Sequence, residues 1–224
     1  MAARIKDVTP DTEITVLSMG PMQAKEALTE CLAVGADKAY LCSDRVFGGS
    51  DTLATSYILA SAIAAIEEKE GKFDLIFSGK QAIDGDTGQV GPEIAAHMGL
   101  AQVTYASEVS VHGDDIIVKR ESDQGYDIIS VRKPAVVTVV KTAFDPRFPT
   151  LKNKMAARKK PIQIITAQDI PNLDLSRCGL KGSPTKVKKT FTPVRNKTCV
   201  KIAGEEPAVS AAKVVGMLAD AKVL

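Results

Sequence analysis

The chain has 224 residues, 45% of them hydrophobic, so it can bury a sizeable core and suits one large domain or a domain with an appendage. Lys and Arg number 29 against 27 Asp and Glu, and the formal charge of +2 gives no electrostatic reason to expect a nucleic-acid partner. Four cysteines without a CxxC pair and two histidines make no zinc-ligand pattern, no apolar run reaches the length of a membrane span, and MAARIKDVTPD lacks a signal-peptide layout. These features predict a cytoplasmic protein with reduced thiols and no membrane insertion.

In chain order, Glu13 to Ser18 reads as a buried strand and Met22 to Val34 as an amphipathic helix. Asp37 to Cys42 reads as a second strand, Thr52 to Lys69 as a second helix and Phe73 to Ser78 as a third strand. This alternation predicts an α/β fold: an open parallel sheet with helices on both faces and ligands at the carboxyl ends of its strands. Pro92 suits the first turn of the next helix, where a missing N–H is harmless. Beyond Gly99, the runs Val103 to Val111, Ile116 to Arg120 and Asp127 to Arg132 have the grammar of antiparallel hairpins, and the run opened by Pro134 reads as one more buried strand. Asp145-Pro146 and Phe148-Pro149 then break the chain. Prolines and glycines recur from Pro161 until Pro207 to Leu218, which reads as a terminal helix. The boundaries follow: an α/β domain over 1–145, a loop and helix over 146–160, and a C-terminal arm over 161–224 that packs on something else.

Two loops fall at strand ends. The first, GKQAIDGDTGQVGP, spans Gly79 to Pro92. It is no Walker loop and does not match G-x-G-x-x-G. As a calcium loop it fails, with Gly88 at the third acidic position and Ala95 at the closing one. What remains is a glycine-rich turn offering N–H groups at a helix start, suited to an anionic or carbonyl-rich ligand such as a nucleotide. Asp84 and Asp86 either meet ribose hydroxyls, amides or a cation, or cap the turns. The second loop, SDRVFGGSDTLATS from Ser43 to Ser56, has Gly48 and Gly49 for close approach and Asp51, Thr52 and Thr55 at a helix start. Two such loops on neighbouring strands predict one shared ligand, with Asp51 as an ordinary N-cap the plainer alternative. His97 and His112 lie in no nucleophile motif, so redox chemistry would come from a bound cofactor.

LSMGPMQAKEAL at 17–28, the first loop, VKRESDQGYDIISVRKPAVVTV and DPRFPTLKNKMAARKK together resemble the beta subunit of electron transfer flavoprotein over nearly the whole chain. The resemblance implies an adenine-nucleotide-binding α/β subunit that pairs with a flavin-carrying alpha subunit and binds a second nucleotide itself, AMP in simple carriers and FAD in electron-bifurcating ones. It implies cofactor contacts at Met19 and along Gly79, Lys80, Gln81, Ala82, Ile83, Asp84, Gly85, Asp86, Thr87, Gly88, Gln89 and Val90. The stretch containing Asp44, Arg45, Gly48, Gly49, Thr52 and Thr55 is similar to the bifurcating branch, which points to FAD and NADH. Leu151 and Met155 match a recognition loop that anchors on dehydrogenases such as acyl-CoA dehydrogenase, and Lys152, Lys154, Arg158, Lys159 and Lys160 beside them would steer acidic partners. Gln124 and Asp127 depart slightly from the family's hairpin pattern. Family members place a strand, loop and most of a helix, roughly forty residues, before the equivalent of Ala2; the expectation is a chain lacking that unit, with a strand edge unpaired. The function read from this is an electron-transfer subunit rather than a stand-alone enzyme. The alternatives are an AMP-binding simple carrier and a stand-alone adenine-nucleotide sensor. A nucleotide-dependent ligase or hydrolase has no catalytic motif to support it.

Overall fold

Short apolar strands alternating with helices produce crossover units in the computed structural model, which describes all residues but 193, 195–198 and 224. The chain divides into two units, Met1–Lys186 and Val187–Leu224. The first holds α1 (Ala2–Val8), β1 (Thr15–Met19), α2 (Lys25–Val34), β2 (Lys38–Cys42), α3 (Thr52–Glu70), β3 (Leu75–Gly79), α4 (Val90–Met98), β4 (Ala101–His112), β5 (Asp115–Ser122), β6 (Gly125–Arg132), β7 (Ala135–Val139), α5 (Leu151–Ala157), β8 (Gln163–Ile165) and α6 (Gly179–Gly182). The second holds α7 (Pro207–Asp220), on which Val209, Val214, Val215, Met217 and Leu218 are exposed.

The fold is α/β with mostly parallel pairing, but its strands form two sheets where one was expected. One sheet has the order β1-β2-β8 and is all parallel. The other has the order β3-β7-β4-β5-β6, parallel across β3, β7 and β4 and antiparallel across β4, β5 and β6. The second loop follows β2 and the first follows β3, so the strands taken as neighbours lie in different sheets. The physical reason is α3, whose length carries the chain from one sheet to the other. Its Ile58, Ala62 and Ile66 pack with Tyr40, Cys42, Leu17 and Met19, while its Ala60 and Ile63 pack with Ile94 of α4 and Ile76 of β3. Among the described residues, β1 and β3 each have a partner strand on one edge only.

Strand alternation assigns the faces. Tyr40 and Cys42 of β2 point to α3, and Ala39 and Leu41 point to Leu28 and Leu32 of α2 and Ala157 of α5. The segment after Pro161, grouped by sequence with the arm, is woven into the first unit: β8 pairs with β2, and Ile165, Ile170 and Cys178 are buried beside Tyr40 and Phe47. No described helix is long and apolar enough to cross a membrane.

The core of the first sheet carries a pH dependence. Burial, reinforced by the hydrogen bond that the Tyr40 hydroxyl donates to Glu70 at 2.6 Å, pushes its pKa up to about 12. Burial alone pushes the Cys42 thiol up to about 12. Folding therefore favours the protonated forms, and their contribution is complete below the unfolded values of about 9 for the thiol and about 10 for the phenol. It is lost as pH rises toward 12. Urea midpoints measured from pH 8 upward are expected to fall through this window. Cys42→Ala should flatten the lower part and Tyr40→Phe the upper part, and a flat wild-type profile would contradict the assignment.

Candidate functional site

The first loop leaves β3 at Gly79, and the Lys80 amide donates to Val139 O at 2.9 Å, so its base is fixed to β7. From Gly79 to Thr87 the loop is exposed, with Ile83 fully so. Both carboxylates are tied within it: Asp84 accepts from the Gly85 amide at 2.9 Å, and Asp86 accepts from the Gln81 side-chain amide. Asp86 and Gly88 take the left-handed region at φ 52° and 65°, which Asp tolerates through local hydrogen bonding and Gly through its missing side chain. The Asp84 contact is of the turn-capping kind and the Asp86 contact of the neighbouring-amide kind, both raised by the sequence. With the Lys80, Gly85 and Asp86 amides engaged, the loop's remaining amides and the Lys80 ammonium are its groups for an anion. Among the described residues, no carboxylate lies within ion-pair distance of Lys80.

The second loop is more occupied than its glycines suggest. Asp44 accepts from the amides of Val46 at 3.2 Å and Ala167 at 3.0 Å. Gly49, at φ 75°, leaves room for Leu180, since a β-carbon there would stand 2.7 Å from it. A β-carbon on Gly179 would stand 2.3 Å from Val46 O, so this loop and the segment around α6 meet backbone to backbone. Asp51 caps α3 through the Ala54 amide at 3.1 Å and takes two bonds from Thr185, at 2.9 Å and 2.8 Å. Burial pushes its carboxyl upward, but the Thr185 and Ala54 donors outweigh that and hold its pKa below the ordinary range. Arg45 and Gly48 remain exposed on the rim.

Although β2 and β3 lie in different sheets, packing of α3 on α4 brings the two loops together. The Thr52 hydroxyl lies 3.1 Å from Gln89 Oε1 and 3.4 Å from Glu93 Oε1. One hydroxyl proton thus faces two acceptors, and Glu93 Oε2 is buried with no hydrogen-bond partner among the described residues. Ser78 Oγ, at the end of β3, is likewise buried and unpaired. Thr55 stands one turn beyond Thr52 on α3. Met19 closes β1, and the following Gly20 amide donates to Cys42 O at 3.0 Å.

Sequence reasoning missed Glu93, Ser78 and Tyr105. The first two carry no motif. Tyr105 sits in a run that reads as plain strand, yet its ring lies 5.0 Å from Lys80 Nζ. His97 is exposed, with its ring edge-on to Tyr57 at 5.8 Å. No group of three or more potential metal ligands occurs among the described residues.

The expected partner anchors lie on α5, which packs on α2. Leu151 and Met155 are 76% and 57% exposed on α5, and Phe148 before them is 85% exposed, which makes an apolar knob with basic flanks. Thr150 caps α5 by accepting from the Asn153 amide at 3.2 Å, and buried Ala157 seats the helix on α2. Lys160 drops out of the free cations, because its Nζ donates to Ala36 O at 3.0 Å at the end of α2.

The family model of the electron transfer flavoprotein domain matches residues 1–170. Among curated relatives, the electron transfer flavoprotein subunit beta of Megasphaera elsdenii is 50% identical over 194 residues, covering 86% of this chain and 72% of the relative. A protein named caffeyl-CoA reductase-Etf complex subunit CarD, from Acetobacterium woodii, is 47% identical over 189 residues, 84% of this chain and 70% of the relative. A protein named acryloyl-CoA reductase electron transfer subunit gamma, from Anaerotignum propionicum, is 42% identical over 209 residues, 92% of this chain and 77% of the relative.

Proposed function

The chain belongs to the electron transfer flavoprotein family, and from that premise we propose that it is a beta-type subunit binding one adenine nucleotide cofactor, FAD, where its two loops meet. The observation that carries this reading is the contact between Thr52 and Gln89 at 3.1 Å, which makes one site of loops from two sheets. The residues fit such a group. The Gly79 to Thr87 turn is open to solvent, a β-carbon on Gly79 would meet nothing within 4 Å, and unpaired buried oxygens lie at Ser78 and Glu93. Backbone donors and Lys80 would hold phosphates, while Thr52, Thr55 and Gln89 would take the hydroxyl-bearing part beyond them. When bound, a flavin supplies the one- and two-electron redox chemistry that the side chains lack.

In this reading, the subunit works beside an alpha subunit carrying its own flavin, with the 187–224 unit and its exposed α7 side chains as the docking arm. NADH is the proposed donor. The names of the two reductase relatives support acceptor partners acting on acyl-CoA thioesters, with Leu151 and Met155 of α5 as the anchor. A second reading, AMP alone, is favoured by the second loop's internal engagements at Asp44, Gly49 and Asp51.

Quantifying nucleotides released from the purified complex with an alpha subunit separates the two. FAD at about two per heterodimer is expected, falling toward one in Thr52→Val/Thr55→Val, because each lost hydroxyl contact costs about 0.5–1.5 kcal/mol. One FAD with one AMP in the unmutated complex would leave the simple carrier. Neither nucleotide at the second site would remove both readings.

A further inference from the structure

We propose that Tyr105 is a positioning residue that holds the Lys80 ammonium for the phosphate of the ligand, an assignment that rests on the adenine-nucleotide reading above. Three observations converge on it. The first is the backbone: Tyr105 has φ 60°, the left-handed region where a bulky side chain is strained. The strain sits at a break in β4, whose register shifts against β7 between Val103 and Ala106 and against β5 between Ala106 and Glu108. Such breaks re-aim a side chain out of the strand's alternation. Thr138 Oγ1 holds the conformation by accepting from the Tyr105 amide at 3.0 Å.

The second observation is where the side chain goes. The ring faces Lys80 Nζ at 5.0 Å, and the hydroxyl would stand 4.0 Å from a β-carbon placed on Gly88. Both contacts lie in the first loop. With the Lys80 amide already fixed to Val139 O, the aromatic face also restrains the far end of a long, exposed side chain. The third is charge. Asp84 and Asp86 are engaged inside the loop, and no described carboxylate pairs with Lys80, so a cation is held without an anion in the glycine-rich loop ahead of α4. That arrangement suits a phosphate, whose charge Lys80 meets directly and Tyr105 meets only through Lys80.

The test is calorimetric binding of AMP and of adenosine, which lacks the phosphate, to the full chain. Tyr105→Leu should weaken AMP about tenfold and leave adenosine within about twofold, and Tyr105→Phe, which keeps the ring, should stay within about twofold for both. In a Lys80→Met background, Tyr105→Leu should have no further effect on AMP. Tyr105→Asn, whose side chain tolerates the left-handed region, separates function from strain: it should keep the melting temperature and still lose AMP affinity. Equal weakening of AMP and adenosine, or an undiminished effect in the Lys80→Met background, would overturn the proposal by making Tyr105 a packing or base-stacking residue. Wild-type protein that binds neither compound would instead remove the nucleotide reading itself.

Discussion

Gly91→Ala is expected to destabilise the first unit by about 1–3 kcal/mol and to strip the proposed nucleotide site of its ligand. On an open helix surface the same change would stabilise by up to about 1 kcal/mol, since Gly is the poorer helix former. Here the β-carbon would stand 2.5 Å from Ser78 Oγ and 2.6 Å from Thr138 Cγ2, on adjacent strands β3 and β7. Thr138 is β-branched, buried and committed through Oγ1 to Tyr105, so it has little freedom to turn away. Relief requires the start of α4 to lift from the sheet, and Gln89 and Glu93 would leave Thr52 with it. The clash therefore outweighs the helix gain, and stability and ligand binding should fall together. Urea unfolding and nucleotide content check this. The triple variant with Ser78→Ala and Thr138→Ser removes both clashing atoms while keeping Oγ1, and it should restore most of the loss. A Gly91→Ala protein more stable than wild type would show that α4 is not seated as described.

Asp51 ahead of an apolar run announces an N-cap, and the Ala54 amide is bound as that signal requires. The continuous apolar run at 39–42 announces a short strand buried on both faces, which α2 and α3 cover. Such a run says nothing of which strand lies alongside, and so the separation of β2 from β3 was invisible. Gly48 and Gly49 announce a close approach without naming what approaches. The answer lies some 130 residues away at Leu180 and Ser183, contacts that no local pattern encodes. β8 is three residues long in a proline-flanked stretch, too short for periodicity to register. Tyr105 reads as an ordinary strand residue because a bulge is a property of the pairing. Glu93 reads as a polar position near a helix start, and only the packing of α4 on α3 turns it toward Thr52.

Leu151→Ala is expected to slow electron delivery to a partner dehydrogenase by roughly 5- to 150-fold, matching about 1–3 kcal/mol for an apolar anchor buried in an interface. The structure separates this effect from folding and cofactor retention. Leu151 is 76% exposed, so truncating it removes no core contact, and α5 keeps its Thr150 cap and its Ala157 seat against α2. Melting temperature and flavin content should therefore stay at wild-type values while the acceptor reduction rate falls. In the proposed docking, the exposed cations Lys152, Lys154, Arg158 and Lys159 would act differently, since any attraction for an acidic partner is screened within about 10 Å at 0.1 M salt. Raising ionic strength should slow the wild type and the Leu151→Ala variant by the same factor, since steering precedes the docking that the leucine completes. Unchanged reduction rates in Leu151→Ala would remove α5 from the partner interface. A rate loss accompanied by lost flavin would place the leucine in the fold's own packing instead.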